Sequence, residues 1–192
     1  MEISIRPAKV NDIPKLAEFF LGGDSGVIEW LYRDALPDRP INIIVEHLFS
    51  RFGSATDFTN WWIADIAGQP VGGVHLALGR AFSESPADLL VPAERRAIVA
   101  PVGRLRTPDA MHIMMICVDP DYRSEGVGKA MLSEAERLAT HAGTDLMSLN
   151  VRGDNLRAIE LYTRLGYTEK MRADVSIPTV YTGPVYHMTK QI

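Results

Sequence analysis

The chain has 192 residues, 46% of them hydrophobic and 23% charged, with a formal net charge of −4 at pH 7. That length predicts one domain, residues 1–192, with a core able to stand without staples; the lone Cys117 excludes an internal disulfide framework and a multi-cysteine metal site. The acidic balance disfavours nucleic acid and anionic membranes as partners, no apolar run approaches the roughly 20 residues of a bilayer-spanning helix, and the opening residues lack a secretory pattern. A cytoplasmic protein without a metal is the expectation.

In chain order, Ile3 to Arg6 read as a strand stopped by Pro7. Asn11 or Asp12 caps a helix with Pro14 in its first turn. Ile13, Leu16, Ala17 and Phe20 recur at helical spacing, and Gly22-Gly23 ends that run. Helical stretches follow over about Ser25 to Ala35, broken by Pro37 and Pro40, and about Ile41 to Phe52. Trp61 to Ile66 and Val71 to Leu78 then form a hairpin across Ala67-Gly68-Gln69-Pro70. The proline- and arginine-rich stretch from Gly79 to Asp109 reads as a surface excursion with a short helix inside, and long connections are often functional.

Met111 to Val118 is almost wholly apolar, as in a strand buried on both faces. A helix from about Gly126 to Ala142 carries one stripe of Val127, Met131, Ala135, Leu138 and Ala142. Asp145 to Val151 is a strand. Asp154 or Asn155 caps a helix whose Ala158, Leu161, Tyr162 and Leu165 share a face, ended by Gly166. Tyr167 to Ala173 and Val185 to Lys190 are the last strands. Strands alternating with helices make an α/β fold; the hairpins make its central sheet of about seven strands mixed.

The chemistry concentrates after the apolar strand, in Arg123-Ser124-Glu125-Gly126-Val127-Gly128-Lys129. A strand stops at Pro120 and a loop with two glycines opens into a helix. The first amides of a helix lack intrahelical acceptors and, with the helix dipole, form an anion site. Glycine allows a phosphate to approach the backbone, Arg123 and Lys129 add positive charge, and Glu125 must point away. The P-loop pattern fails, because Arg123 stands at its first glycine and Ala130 lacks the hydroxyl. The dinucleotide fingerprint fails at Met131. Taken alone, the loop also reads, with somewhat less weight, as a glycine-rich turn that caps a helix and binds nothing.

Arg123-x-x-Gly126-x-Gly128 after an apolar strand resembles the acyl-CoA signature R/Q-x-x-G-x-G/A of the GCN5-related N-acetyltransferase (GNAT) superfamily. Asn155-Leu156-Arg157-Ala158-Ile159-Glu160-Leu161-Tyr162-Thr163-Arg164-Leu165-Gly166-Tyr167 resembles the family's N-x-x-A-x-x-L/F-Y-x-x-x-G-F/Y segment, and Ile3 to Ala8 its first strand. The resemblance is strong over about 111–170 and weak over 22–60 and 79–109. It implies the single-domain GNAT fold: a mixed central sheet flanked by helices. It implies acetyl-CoA as cosubstrate, its diphosphate on the amides of Arg123, Ser124, Glu125, Gly126, Val127, Gly128 and Lys129, and its pantetheine arm along the strand edge at Ile116 and Val118. The Val118 N–H would polarise the thioester carbonyl, an effect typically worth about 3–4 kcal/mol.

Asn155 and Tyr162, seven residues apart, lie on one helix face about 10.5 Å apart along the axis. The resemblance assigns Asn155 to the pantetheine arm and Tyr162 to the thiol, where a phenol can protonate a departing thiolate. Without it, Tyr162 reads as a core-edge tyrosine and Asn155 as a helix cap. The implied reaction is direct attack of a primary amine, from a small molecule or a protein, in a ternary complex. The amine must first lose a proton; His75, His112, Glu29 and Asp109 are candidates for the base, none with supporting spacing. Cys117 alternates away from Val118 and reads as an inert buried thiol. The resemblance places the acceptor near Glu29, Trp30, Tyr32 and Asp34, near Arg95 to Arg106, and near Thr179 to Tyr186. It also allows a homodimer. The competing function is a non-catalytic acyl-CoA-binding sensor of the same fold.

Overall fold

The structure, a computed structural model, describes residues 2–35 and 38–192. Its sheet has seven strands: β1 (Ser4–Pro7), β2 (Trp61–Ile66), β3 (Gln69–Leu78), β4 (Met111–Val118), β5 (Leu146–Arg152), β6 (Thr168–Ile177) and β7 (Tyr181–Gln191). Their order is β1-β2-β3-β4-β5-β7-β6. Only β4 and β5 are parallel; the other neighbours run antiparallel. The helices are α1 (Ile13–Asp24), α2 (Val27–Tyr32), α3 (Ile41–Phe49), α4 (Gly79–Glu84), α5 (Ala93–Gly103), α6 (Val127–His141) and α7 (Leu156–Arg164). The expected mixed α/β sheet is therefore present. The break expected at Pro37 lies outside the described residues.

The layers follow from side-chain periodicity. Val127, Met131 and Ala135 of α6 pack with Val74, Ile113 and Leu149 on one face of the sheet. Leu16 and Phe20 of α1 and Val45 and Phe49 of α3 pack around Trp61 on the other. A smaller cluster joins Trp30 and Leu105 to Val175, Ile177 and Val185 of the long β6–β7 hairpin. Arg6 ties β1 to its surroundings, donating to Asp65 at 2.7 Å and to both oxygens of Asp12 at 2.7 and 3.0 Å.

Several boundaries move, each for a physical reason. Gly22 and Gly23 do not end α1, which runs on to Asp24. A Cβ on Gly23 would lie 2.8 Å from the Met115 sulfur, so this glycine lets the helix touch β4. The turn comes instead at Ser25 and Gly26, both with positive φ (56° and 87°). Asp12 stands at the N-cap position, but its carboxylate accepts from the Lys9 amide and from Arg6. The hairpin turn narrows to Ala67 and Gly68, both with positive φ, which is the two-residue geometry that matches strand twist. The excursion from Gly79 to Asp109 holds two helices, α4 and α5. Leu161 is 41% exposed, while Ala158, Tyr162 and Leu165 face the core.

Candidate active site

The site begins with a defect in the sheet. β4 pairs with β3 along its whole length, and β5 pairs with β7 along its whole length. Between them only three pairs form: Met111 with Met147, His112 with Ser148, and Ile113 with Leu149. Beyond Ile113 the two parallel strands part. The register of β3 against β4 also slips here, leaving Met114 as the extra residue of a bulge. The bulge resets alternation, so Ile116 and Val118 stay on the α6 face with Met111 and Ile113. The expectation of a strand buried on both faces holds only for Met111 to Ile113; Met114 to Val118 are half-exposed, because β5 has left them.

The freed edge of β4 carries backbone donors and acceptors. The Asp119 amide donates to Val71 at 2.9 Å, toward β3. Alternation then turns the amides and carbonyls of Val118 and Ile116 the other way, into the gap. The Arg123 side chain reaches the Val118 carbonyl at 3.4 Å from that side. An extended ligand laid in the gap would meet these groups as a further strand would.

At the end of β4, Ser124 and Gly126 adopt positive φ (68° and 85°), and Gly126 caps α6 in the left-handed region. Arg123 to Gly126 and Lys129 are exposed, so the first amides of α6 open to solvent. Val127 is buried and anchors the helix start. A Cβ on Gly128 would sit 3.7 Å from the Val118 side chain, which brings this turn directly against the strand end. Neither Glu125 nor Lys129 forms an ion pair among the described residues. The loop therefore has the backbone shape and the free donors that a diphosphate needs.

A cavity of about 600 Å³ fills the gap between the parted strands. Ile116 lines it from β4; Asn155, Ala158 and Tyr162 line it from one face of α7. Asn155 caps α7 through its side-chain oxygen, which accepts from the Ala158 amide at 3.2 Å, so its amide nitrogen remains for a ligand. The Tyr162 hydroxyl makes no hydrogen bond among the described residues, and burial pushes its phenol up to about 12. Its ring stands edge-on to Tyr167 at 5.6 Å. The cap and core-edge readings of Asn155 and Tyr162 are thus both true, and compatible with ligand contact.

The opposite wall comes from the three expected regions: Val99, Val102, Gly103, Tyr181 and Val185 fall in the expected stretches, whereas Glu29, Trp30, Tyr32 and Asp34 do not line it. It is built by Gly23 to Ser25, Val27 and Leu31, by Val99, Val102 and Gly103 of α5, and by Val175, Ile177, Tyr181 and Val185 of the hairpin. Glu29 is exposed and outside the wall. Asp34 and Arg95, whose charges point to opposite acceptor classes, form an ion pair with each other at 3.1 Å. The charged side chains that do line the cavity are Asp24, Arg152 and Asp154. Arg152 grips Asp154 with two hydrogen bonds of 3.0 and 2.8 Å and lies 4.6 Å over the Tyr181 ring. Asp24 has no sequence motif; its only signal is its place just before the Ser25-Gly26 turn. Its carboxylate accepts from the Ile28 amide at 2.6 Å, and burial raises it to about 6 against that bond and the Arg152 charge.

The other candidates lie elsewhere. His75 is fully buried between Trp61 and Phe82, and burial lowers it to about 3. Burial, then the Arg106 charge, holds His112 well below its ordinary value, and it bonds Ser148 at 3.0 Å. Asp109 sits at the surface against Arg80. None of these, nor Glu29, touches the cavity. Cys117 faces the Gly73 carbonyl at 3.8 Å, opposite Val118, and burial pushes its thiol up to about 12. No group of metal-ligating side chains occurs, and no helix is long and apolar enough to cross a membrane, among the described residues.

The chain resembles known proteins in the same terms. It is 36% identical over 69 residues to an uncharacterized N-acetyltransferase of Methanocaldococcus jannaschii, a match covering 36% of this chain and 30% of that protein. It is 38% identical over 61 residues to the [ribosomal protein bS18]-alanine N-acetyltransferase of Escherichia coli, covering 32% and 41%. The chain thus spans less than half the length of either relative. An N-acetyltransferase from Staphylococcus aureus Mu50 has the same fold, with a TM-score of 0.71 at 19% identity over 97% of this chain and 99% of that one. So does an N-acetyltransferase from Thermoplasma acidophilum solved in complex with coenzyme A, with a TM-score of 0.58 at 16% identity over all of both chains. The model of the acetyltransferase (GNAT) family matches residues 27–167, nearly three-quarters of the sequence, and the chain belongs to that family.

Proposed function

We propose that residues 1–192 form one acetyl-CoA-dependent N-acetyltransferase, which passes an acetyl group to a primary amine by direct attack in a ternary complex. The observation that carries this reading is the single cavity in which the freed β4 edge, the Asn155–Tyr162 face and a separate polar-edged wall meet. Acetyl-CoA supplies the activated acyl group when bound. The protein's part is to hold it and to manage protons. The amides of Ser124 to Gly128 receive the diphosphate; the Arg123 amide, expected among them, donates instead to the Pro120 carbonyl at 3.3 Å, and the Arg123 and Lys129 side chains add charge. The edge at Ile116 and Val118 and the Asn155 amide align the arm. The Val118 amide polarises the acyl carbonyl, and Tyr162 gives a proton to the leaving sulfur.

One relative is named for acetylating a ribosomal protein's alanine. A protein amine is therefore one acceptor class and a small molecule the other. The net charge of −4 supports a protein without nucleic acid or an anionic membrane as partner, and the cytoplasm is the compartment proposed for it. A thiol-release assay with acetyl-CoA and a panel of amines and peptides tests the proposal. Amine-dependent release supports it. Tight CoA binding in a calorimeter with no release from any amine would establish the sensor reading instead.

A further inference from the structure

We propose that Asp24 takes the proton that the acceptor amine must lose before it attacks; this rests on the acetyltransferase reading above. The wall of the cavity holds five ionisable side chains: Asp24, Arg152, Asp154, Tyr162 and Tyr181. Four of them are committed. Arg152 and Asp154 neutralise each other through two hydrogen bonds. The Tyr181 hydroxyl donates to Pro184 at 2.7 Å and accepts from the Gly153 amide at 3.0 Å. Tyr162 lies on the α7 wall, assigned to the sulfur. Asp24 remains, at the end of α1 on the acceptor side, with no ion pair among the described residues.

The geometry fixes the carboxyl without saturating it. One oxygen accepts from the Ile28 amide at 2.6 Å, across the Ser25-Gly26 turn. The Val27 amide also bears on the carboxyl, and no side-chain donor reaches it among the described residues. The charged groups facing it are few. Arg152 and Asp154 approach from the β5 end, while among the described residues α5, β6 and β7 contribute Val99, Val102, Gly103, Val175, Ile177, Val185 and Tyr181. Such an environment disfavours the charged form, and burial raises the carboxyl to about 6. It is therefore ionised at neutral pH, yet far more basic than an ordinary aspartate, as proton abstraction requires.

The proton balance closes. The ammonium gives one proton to the Asp24 carboxylate. The freed nitrogen pair forms the C–N bond as the C–S bond breaks. Sulfur keeps the bonding pair and takes the Tyr162 proton. The second amine proton returns through water to the Tyr162 oxygen, and Asp24 discharges to solvent.

Asp24→Asn keeps the shape and the acceptor for the Ile28 amide but cannot take a proton. We expect it to bind CoA within about twofold of wild type and to lose about 100-fold or more in kcat/KM at pH 7. The loss should shrink as pH nears the amine's own pKa, where free amine needs no base; a merely structural role gives a loss constant with pH. A wild-type acid limb near pH 6 should stay in place when amines of different pKa are compared, and vanish in the variant. In the free wild-type protein, the Asp24 carboxyl carbon followed by NMR should titrate near 6, a readout independent of turnover. A midpoint near 4, or an Asn variant as active as wild type across the pH range, overturns the proposal. Wild-type protein that binds CoA but acetylates no amine overturns the acetyltransferase reading, and this assignment with it.

Discussion

Replacing Tyr162 by phenylalanine removes one oxygen from the cavity and almost nothing from the fold. The hydroxyl has no protein partner among the described residues, so no buried group is left orphaned, and the edge-on contact with the Tyr167 ring at 5.6 Å persists. Stability should stay within about 0.5 kcal/mol of wild type. Turnover should not. A phenol held up near 12 by burial stays protonated throughout the working range, as an acid must. General acids typically contribute about 10²–10⁴-fold. A thiol with a pKa near 8.5 departs readily, so the low end applies, about 100-fold in kcat or ~2.7 kcal/mol. Because the phenol ionises only near 12, Tyr162 should impose no basic limb on the rate below about pH 11. Thiol release under saturating substrates gives kcat, and calorimetry gives the CoA dissociation constant. Equal losses in the two would show that the hydroxyl serves binding and not chemistry.

Gly126→Glu should fold, since nothing lies within 4 Å of a Cβ built there, at a cost of about 1–2 kcal/mol from its φ of 85°. It should abolish calorimetric CoA binding, and unchanged affinity in a folded variant would refute the phosphate loop. Gly79→Ala drives a methyl into the Thr107 carbonyl oxygen and should destabilise by about 3 kcal/mol in urea titrations. Gly22→Ala, with open space at the same test and a place inside α1, should instead stabilise by about 0.5–1 kcal/mol; similar effects at both sites would contradict the packing. The Asp24 carboxyl, raised from 3.8 to about 6, adds stability that is present below pH 4 and lost as pH rises through 6. Asp24→Asn should therefore gain stability over wild type between pH 4 and pH 7, by at most about 3 kcal/mol, because the group is partly solvated. A flat difference across that range would show that its environment is ordinary.

What the sequence made legible was local. The turn from β4 into α6 and the run from Asn155 to Tyr167 each hold their signal within a few consecutive residues, and glycines and capping side chains act over that span. The structure brings Asn155 and Tyr162 to one wall because seven residues nearly close two helical turns. Gly23 misled because a glycine near a helix end has two uses, and only the position of the Met115 sulfur reveals which one applies. The acceptor wall was illegible for the same reason. Asp34 and Arg95 look like opposing lures in the sequence, yet 61 residues apart they cancel as an ion pair, and the unremarkable Asp24 faces the cavity.

The deepest of these nonlocal features is the parting of β4 from β5. Each strand gives its other edge to a neighbour, β4 to β3 and β5 to β7, so each half of the sheet keeps a paired edge beside the seam. Three residue pairs suffice to join them. The bulge at Met114 then bends β4 away while returning Ile116 and Val118 to the α6 face, so the core is not broken as the edge opens. An apolar run such as Met111 to Val118 reads the same whether its partner continues or departs. The edge amides and carbonyls that β5 leaves, of which the Val118 carbonyl meets only the Arg123 side chain at 3.4 Å, are costly to leave dry. A ligand with its own amides would satisfy them, and for that reason the proposed acyl-carrier site lies where this sheet fails to close.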